Sequence, residues 1–269
     1  AKLDQTERGA WWLAIGAAFG LGMFSKYTTL FFAASMLIWL IAVPAQRRWF
    51  LNPWPYFGGL LALAVFAPVL WWNAEHHWAS VAYQASRGAG RALSLRYVFE
   101  LIGAQLGLAT PPIFFLACVG LGYGLRTHRS SAVVLLAALI LTPLGYFCWH
   151  ALRERVQGNW PECVYPALAC VAAYAVHSFE TRDGVLARSV RVARLSAAPF
   201  GIALALLIYT QAIFGWVPIG RHDPTSRVLG WGWPEMAVAM DEARAQSGAR
   251  GHLSPARPHR RLRPTRRTS

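Results

Sequence analysis

Apolar residues in this chain come in long blocks, and polar residues gather in the short stretches between them. Seven blocks stand out, approximately at residues 11–24, 28–43, 56–72, 109–125, 132–150, 160–179 and 197–216. A bilayer core about 30 Å thick is crossed by about 20 apolar residues in helix, and tilted or broken helices shift that length by several residues. The pattern predicts an all-α fold, a polytopic transmembrane helical bundle with about seven membrane segments. The first two blocks are short and only Ser25-Lys26-Tyr27 separates them, which predicts a helical hairpin turning at a membrane surface. Within the long stretch before the fourth block, Leu95, Val98, Phe99, Ile102 and Leu106 recur every three to four residues, with Arg96, Glu100 and Gln105 on other faces. That spacing predicts an amphipathic helix over residues 93–108, lying in the membrane interface. Trp49, Trp54, Trp71, Trp72, Trp78, Trp149 and Trp160 crowd the block ends, as in an aromatic belt.

The pattern changes towards the C-terminus. It divides the chain into a membrane-embedded helical domain at 1–216, an outer-side segment at 217–249 and a basic tail at 250–269, which has no periodicity and is expected to be disordered. The first residues lack both an initiator Met and a basic-then-apolar signal pattern, so the N-terminus reads as cut.

Composition agrees with a membrane setting. Of 269 residues, 55% are hydrophobic and only 14% charged, against about 25% charged in ordinary globular domains. A soluble domain of this length needs a charged coat, and here the charges are bunched between apolar blocks. The net charge of +14 raises nucleic acid as a partner, but 7 of the 26 basic residues lie in the last 20 positions, and the rest fit membrane loops. No nucleic-acid partner is expected.

Short basic loops are retained on the cytoplasmic side. Arg47 and Arg48, then Arg126 and Arg129, then Arg182, Arg188, Arg191 and Arg194 fall in alternate connections, which places those three connections inside. Strict alternation then puts Lys26, Arg87, Arg91, Arg96, Arg153 and Arg155 outside, against the usual bias. Basic residues kept on the outer side point to an anionic ligand there.

Several residues are candidates for chemistry. Lys26 follows a run of seventeen uncharged residues and sits in a helical break, where an ammonium either snorkels to water or meets a lipid phosphate. Asn73, Glu75, His76 and His77 lie where an apolar block meets the outer side. Successive helical residues diverge by about 100°, so Glu75, His76 and His77 do not easily face one ion; no cofactor is expected, with a divalent metal at these three as the alternative. Arg153, Arg155, Asn159 and Trp160 open the sixth block, with Asn159 and Pro161 suited to a helix start. Two arginines beside an Asn-Trp pair also suit a phosphate and a sugar. Cys118, Cys148, Cys163 and Cys170 form no CxxC pair and read as buried thiols. Nucleophile-elbow, zinc-protease, P-loop and dinucleotide-binding signatures are all missing.

The blocks GLGMFSKYTTLFF, APVLWWNAEHHWAS followed by Tyr83, Gln84 and Arg87, and ERVQGNWPECVYPAL, in that order, resemble the bacterial membrane glycosyltransferases of the GT-C class. Within that class they are most similar to the family that groups protein O-mannosyltransferases with lipid A aminoarabinose transferases. The likeness runs from about Trp11 to about Ala239. It implies transfer of a sugar from a polyprenyl phosphate donor to a lipid, glycan or protein acceptor at the outer face of the bacterial inner membrane. It further implies that Lys26 and Arg155 meet the donor phosphate, and that Asn73, His76, Arg87, Asn159 and Trp160 shape the sugar or acceptor pocket. The family's catalytic carboxylate lies in the first outer loop, so here it is expected upstream of Ala1, with Glu75 and Glu162 as the stand-ins inside the chain. Two other classes share the composition. A secondary transporter calls for paired broken segments or repeat symmetry, neither of which is visible, and a non-catalytic membrane scaffold calls for no donor binding.

The alternation of basic loops makes a direct prediction. In intact cells expressing a chain whose four native cysteines are replaced by serine, Arg153→Cys is labelled by an impermeant thiol reagent and Arg129→Cys is not. Labelling at position 129 but not at 153 reverses the topology.

Overall fold

A computed structural model describes residues 6–85, 93–214, 216–217 and 233–246, and every regular element among them is helical. Helix α1 (Trp11–Ser25) stops at Lys26, whose extended backbone and a following 3-10 turn, Tyr27–Thr29, break the chain before α2 (Leu30–Ala42). A second 3-10 stretch, Pro44–Leu51, bends 113° away from α2, since Pro44 has no N–H to continue the helical ladder. Then come α3 (Trp54–Glu75), the short α4 (Ala79–Ala85) and α5 (Arg96–Ala109). Thr110 takes a left-handed backbone at φ 64°, uncommon for a β-branched residue, and the chain turns through 104° into α6 (Pro111–Thr127). Pro111 and Pro112 occupy the first turn of α6, where a missing N–H costs nothing. The chain continues through α7 (Ser131–Ala151), the 3-10 turn Trp160–Val164, α8 (Tyr165–Phe179), α9 (Val185–Phe214) and α10 (Trp233–Gln246). Two compact units result, residues 1–202 and 203–269.

Within the first unit the helices approach one another through small residues. A Cβ added at Gly16 would stand 2.0 Å from the Gly58 carbonyl oxygen, and one at Gly58 would stand 2.3 Å from that of Trp12. One turn on, Gly20 lies against Ala62 and Val65. Gly16 and Gly20 thus form a small-xxx-small face on α1 that meets Gly58 and Ala62 on α3, as membrane helices commonly do. Gly120 of α6 makes the same approach to Val171 of α8, where an added Cβ would lie 2.0 Å from the carbonyl oxygen. Polar contacts join α2 to α7. Buried Ser35 donates its hydroxyl to the Ala138 carbonyl at 3.0 Å, and the Trp39 indole donates to the Ser131 carbonyl at 3.0 Å. Leu116, Ile140, Val171 and Val190 centre the largest apolar cluster, shared by α6, α7, α8 and the first half of α9.

Outward-facing residues are apolar as well. Leu63 and Leu141 are 57% and 51% exposed although they sit mid-helix, which in water would cost roughly 1 kcal/mol or more each and in lipid costs nothing. By length and composition α3, α7 and α9 suffice to cross a membrane, and the two bent pairs raise that number to five if each is one span. The molecule is a helical membrane protein. The seven predicted segments are recovered only roughly, because α1 has 15 residues and α2 only 13 before the chain bends.

Several expectations change. The first two blocks do break at Lys26, but they do not pack as a hairpin: α1 lies chiefly on α3, where small residues meet, and α2 chiefly on α7, where Ser35 and Trp39 bond across. Arg188, Arg191 and Arg194 belong to α9 rather than to a loop. That helix begins at Val185, since Ala187, Val190 and Ala193 repeat every three residues and bury against the core. The cysteines are free, but Cys118 and Cys170 face outward rather than inward, and Cys148 and Cys163 are half-buried. The interfacial helix is present as α5, with Leu95, Phe99 and Ile102 exposed and Leu101, Gln105 and Ala109 turned inward. The 250–269 tail lies outside the described residues.

The α1–α3 contact has a measurable consequence. Gly58→Val forces the backbones apart and is expected to lower stability by about 2 kcal/mol in denaturant titration in detergent micelles. Gly59 has open space around it, so Gly59→Ala should change stability by no more than about 0.5 kcal/mol.

Candidate functional site

Antiparallel passage of successive helices brings the C-terminal ends of α1, α3 and α7 together with the turn that opens α8. Between them lies a cavity of about 760 Å³. Its apolar wall is Met23, Phe24, Leu30, Phe31, Ala34 and Val69, and its polar residues include Lys26, Tyr27, Thr28, His150 and Trp160. The aromatic wall is continuous: Phe31 lies 4.9 Å from Tyr146 and 5.4 Å from Phe147, and Phe147 lies 6.4 Å from Trp160.

Lys26 enters this cavity because helix α1 ends there. Its ammonium forms an ion pair with Oε1 of Glu162, 136 residues away in the Trp160–Val164 turn. Both side chains remain about half exposed, so the pair aims the ammonium without sealing it from a ligand. At the far end of α1 a second pair, Glu7 with Arg48 at 2.7 Å, ties the chain start to the Pro44–Leu51 turn. The hydrogen bond and charge of that guanidinium hold the Glu7 carboxyl below its ordinary range.

The loop that carries Trp160 is docked on the interfacial helix. Buried Gln105 of α5 donates to the Gly158 carbonyl at 2.8 Å and accepts from the Tyr165 hydroxyl at 3.0 Å. Ser94 N–H donates to the Leu152 carbonyl at 2.7 Å. Glu100 faces two arginines, Arg96 at 2.9 Å and Arg155 at 2.9 Å. The Trp160 indole donates to Gln157 at 3.2 Å.

Of the residues singled out by sequence, the cavity therefore gathers Lys26 and Trp160. Arg155 is 73% exposed, pairs with Glu100 and does not line it. Asn159 is exposed and makes no capping hydrogen bond through its side chain, because its backbone is already near-helical. Asn73 is buried and spends its side chain on the turn after α3, donating to the Val69 carbonyl at 2.9 Å and accepting from Ser80 N–H at 3.2 Å. His76 stacks on Trp72 at 4.2 Å with Nδ1 against the Trp72 carbonyl, while Glu75 accepts from the Trp71 indole. These groups diverge, and among the described residues no three His, Cys, Asp or Glu side chains are set to share a metal ion. Arg87 lies outside the described residues.

Two participants were not singled out for this site. Glu162, a stand-in base by sequence, is the partner of Lys26. His150 closes an apolar block in the sequence, and an ionisable side chain at the end of an otherwise apolar span is a candidate for function.

Comparison with known proteins agrees with the resemblance seen in the motifs. Residues 2–72 match the family described as dolichyl-phosphate-mannose-protein mannosyltransferase. The lipid A galacturonosyltransferase RgtD of Rhizobium johnstonii is 26% identical over 175 residues, which cover 61% of this chain and 35% of that protein. The chain thus spans about a third of the length of that curated relative. No solved structure matches. The chain is similar, through these two matches, to the GT-C membrane glycosyltransferases.

The docking of the Trp160 loop can be tested apart from any ligand. Gln105→Leu leaves the Gly158 carbonyl and Tyr165 hydroxyl without partners and is expected to cost about 1–3 kcal/mol in detergent unfolding. Tyr165→Phe, which removes only one of the two bonds, should cost less.

Proposed function

We propose that this chain is part of a multi-pass glycosyltransferase of the bacterial inner membrane, which transfers a sugar from a polyprenyl phosphate donor to a lipid, glycan or protein acceptor at the outer face. The observation that carries the reading is the composition of the cavity. A single ammonium, Lys26, stands among aromatic and aliphatic walls, which suits an amphiphile with one anionic group and a hydrocarbon tail. The two similar proteins, a mannosyltransferase family and a lipid A galacturonosyltransferase, support the reaction class.

In that reaction the bond between the sugar's anomeric carbon and the phosphate oxygen breaks, and the polyprenyl phosphate leaves with the electron pair. Lys26 faces the oxygen on which charge grows, and a donor already in place stabilises that charge without reorganisation. Glu162 holds the ammonium in position through their ion pair. The acceptor's proton goes to a carboxylate, which the resemblance assigns to the family's first outer loop. Arg155, paired with Glu100, contributes by keeping the Trp160 loop against α5.

Binding of undecaprenyl phosphate to the chain in lipid nanodiscs tests the reading. Lys26→Ala should weaken binding by about 1.5–3 kcal/mol, tenfold or more, and Lys26→Arg should retain part of it. An unchanged affinity in Lys26→Ala would remove the phosphate from this cavity.

A further inference from the structure

His150 is 8% exposed and lines the cavity from the last turn of α7. Its ring stacks on Tyr146 at 6.0 Å and lies 6.0 Å from the Trp160 ring. Nε2 is closed to solvent and has no hydrogen-bond partner, and Glu154 Oε2 stands 3.8 Å from it. With the proton on Nε2, the side that faces the carboxylate, Nδ1 is left as an acceptor. Lys26, by contrast, has donors only. A cation suits a phosphate, and a ring nitrogen that accepts suits a hydroxyl. An aromatic ring beside that acceptor suits the apolar face of a sugar.

We propose that His150 accepts a hydrogen bond from a hydroxyl of the donor's sugar, with Glu154 as its positioning residue and Trp160 against the sugar ring. The inference rests on the reading of Lys26 as the phosphate contact and extends it by giving the donor a direction. The phosphate lies at Lys26, the prenyl chain runs along Phe24, Leu30 and Ala34, and the sugar points towards α7. This moves the sugar-recognising histidine from His76, whose ring is engaged with Trp72, to His150.

The test compares two kinds of probe on the full chain in nanodiscs: bare undecaprenyl phosphate, and undecaprenyl phosphate carrying mannose or galacturonic acid. The native chain should bind a glycosylated probe more tightly than the bare one. His150→Phe keeps the aromatic stack and should erase about three- to tenfold of that preference while leaving bare-probe affinity unchanged. His150→Gln, whose amide oxygen accepts, should restore part of it. Where His150→Phe does not fold, Glu154→Gln decides, since it removes the carboxylate charge that stands 3.8 Å from Nε2 and should reduce the preference. A native chain without preference, an intact preference in His150→Phe or in its substitute, or equal weakening of both probes overturns the inference. Loss of bare-probe binding in Lys26→Ala with an intact preference in His150→Phe sinks the His150 contact alone, whereas unchanged bare-probe binding in Lys26→Ala sinks the reading of the cavity.

Discussion

Backbone contact through small residues is the constraint on which the rest of this structure depends. Where lipid is as apolar as leucine, burial gives a helix little reason to prefer another helix over the membrane. Close approach restores a preference, because dispersion between main chains needs interatomic distances of about 4 Å or less. Gly16 against Gly58, Gly20 against Ala62 and Gly120 against Val171 provide that approach. The Ser35 and Trp39 hydrogen bonds do the same for α2 and α7, where side chains rather than backbones meet.

That pairing scheme sets where the cavity forms. Since α1 packs on α3 and α2 on α7, the break at Lys26 is carried to the end of α7, and His150 faces the same space. The Trp160–Val164 turn closes it, held by Gln105 from the interfacial helix and by Glu162 from the other side. The site is thus built from four separate parts of the chain, each placed by a helix end.

Charge is sparingly placed within this arrangement. Lys26 has Glu162, Arg155 and Arg96 share Glu100, and His150 has Glu154 nearby. Near a bilayer unpaired charges are expensive, and these three sites each set a carboxylate beside the basic group. The pairs differ in what they leave open. Arg155 and Arg96 bracket one carboxylate away from the cavity, whereas the half-exposed Lys26 pair faces into it, and this difference is what the proposed role of Lys26 rests on.

How much of this could be read along the chain depends on the range of the forces involved. Helical class, the break at Lys26, the amphipathic spacing of α5 and the apolar blocks follow from local periodicity and from the length of helix a bilayer demands, so they are legible in the residues themselves. Lys26 and Trp160 were legible too, as an isolated charge and an aromatic at a helix start. The continuation of α9 through Arg188, Arg191 and Arg194 was hidden because charge counting treats every arginine as loop, although its buried face repeats every three residues. Asn73 and His76 carried the right chemistry, but a one-dimensional reading does not show that their polar atoms are spent on the turn after α3. Glu162 meets Lys26, and His150 meets the cavity, only once α1 has chosen α3 and α2 has chosen α7. That choice rests on glycine and serine contacts between helices far apart in the chain, which tertiary packing alone decides.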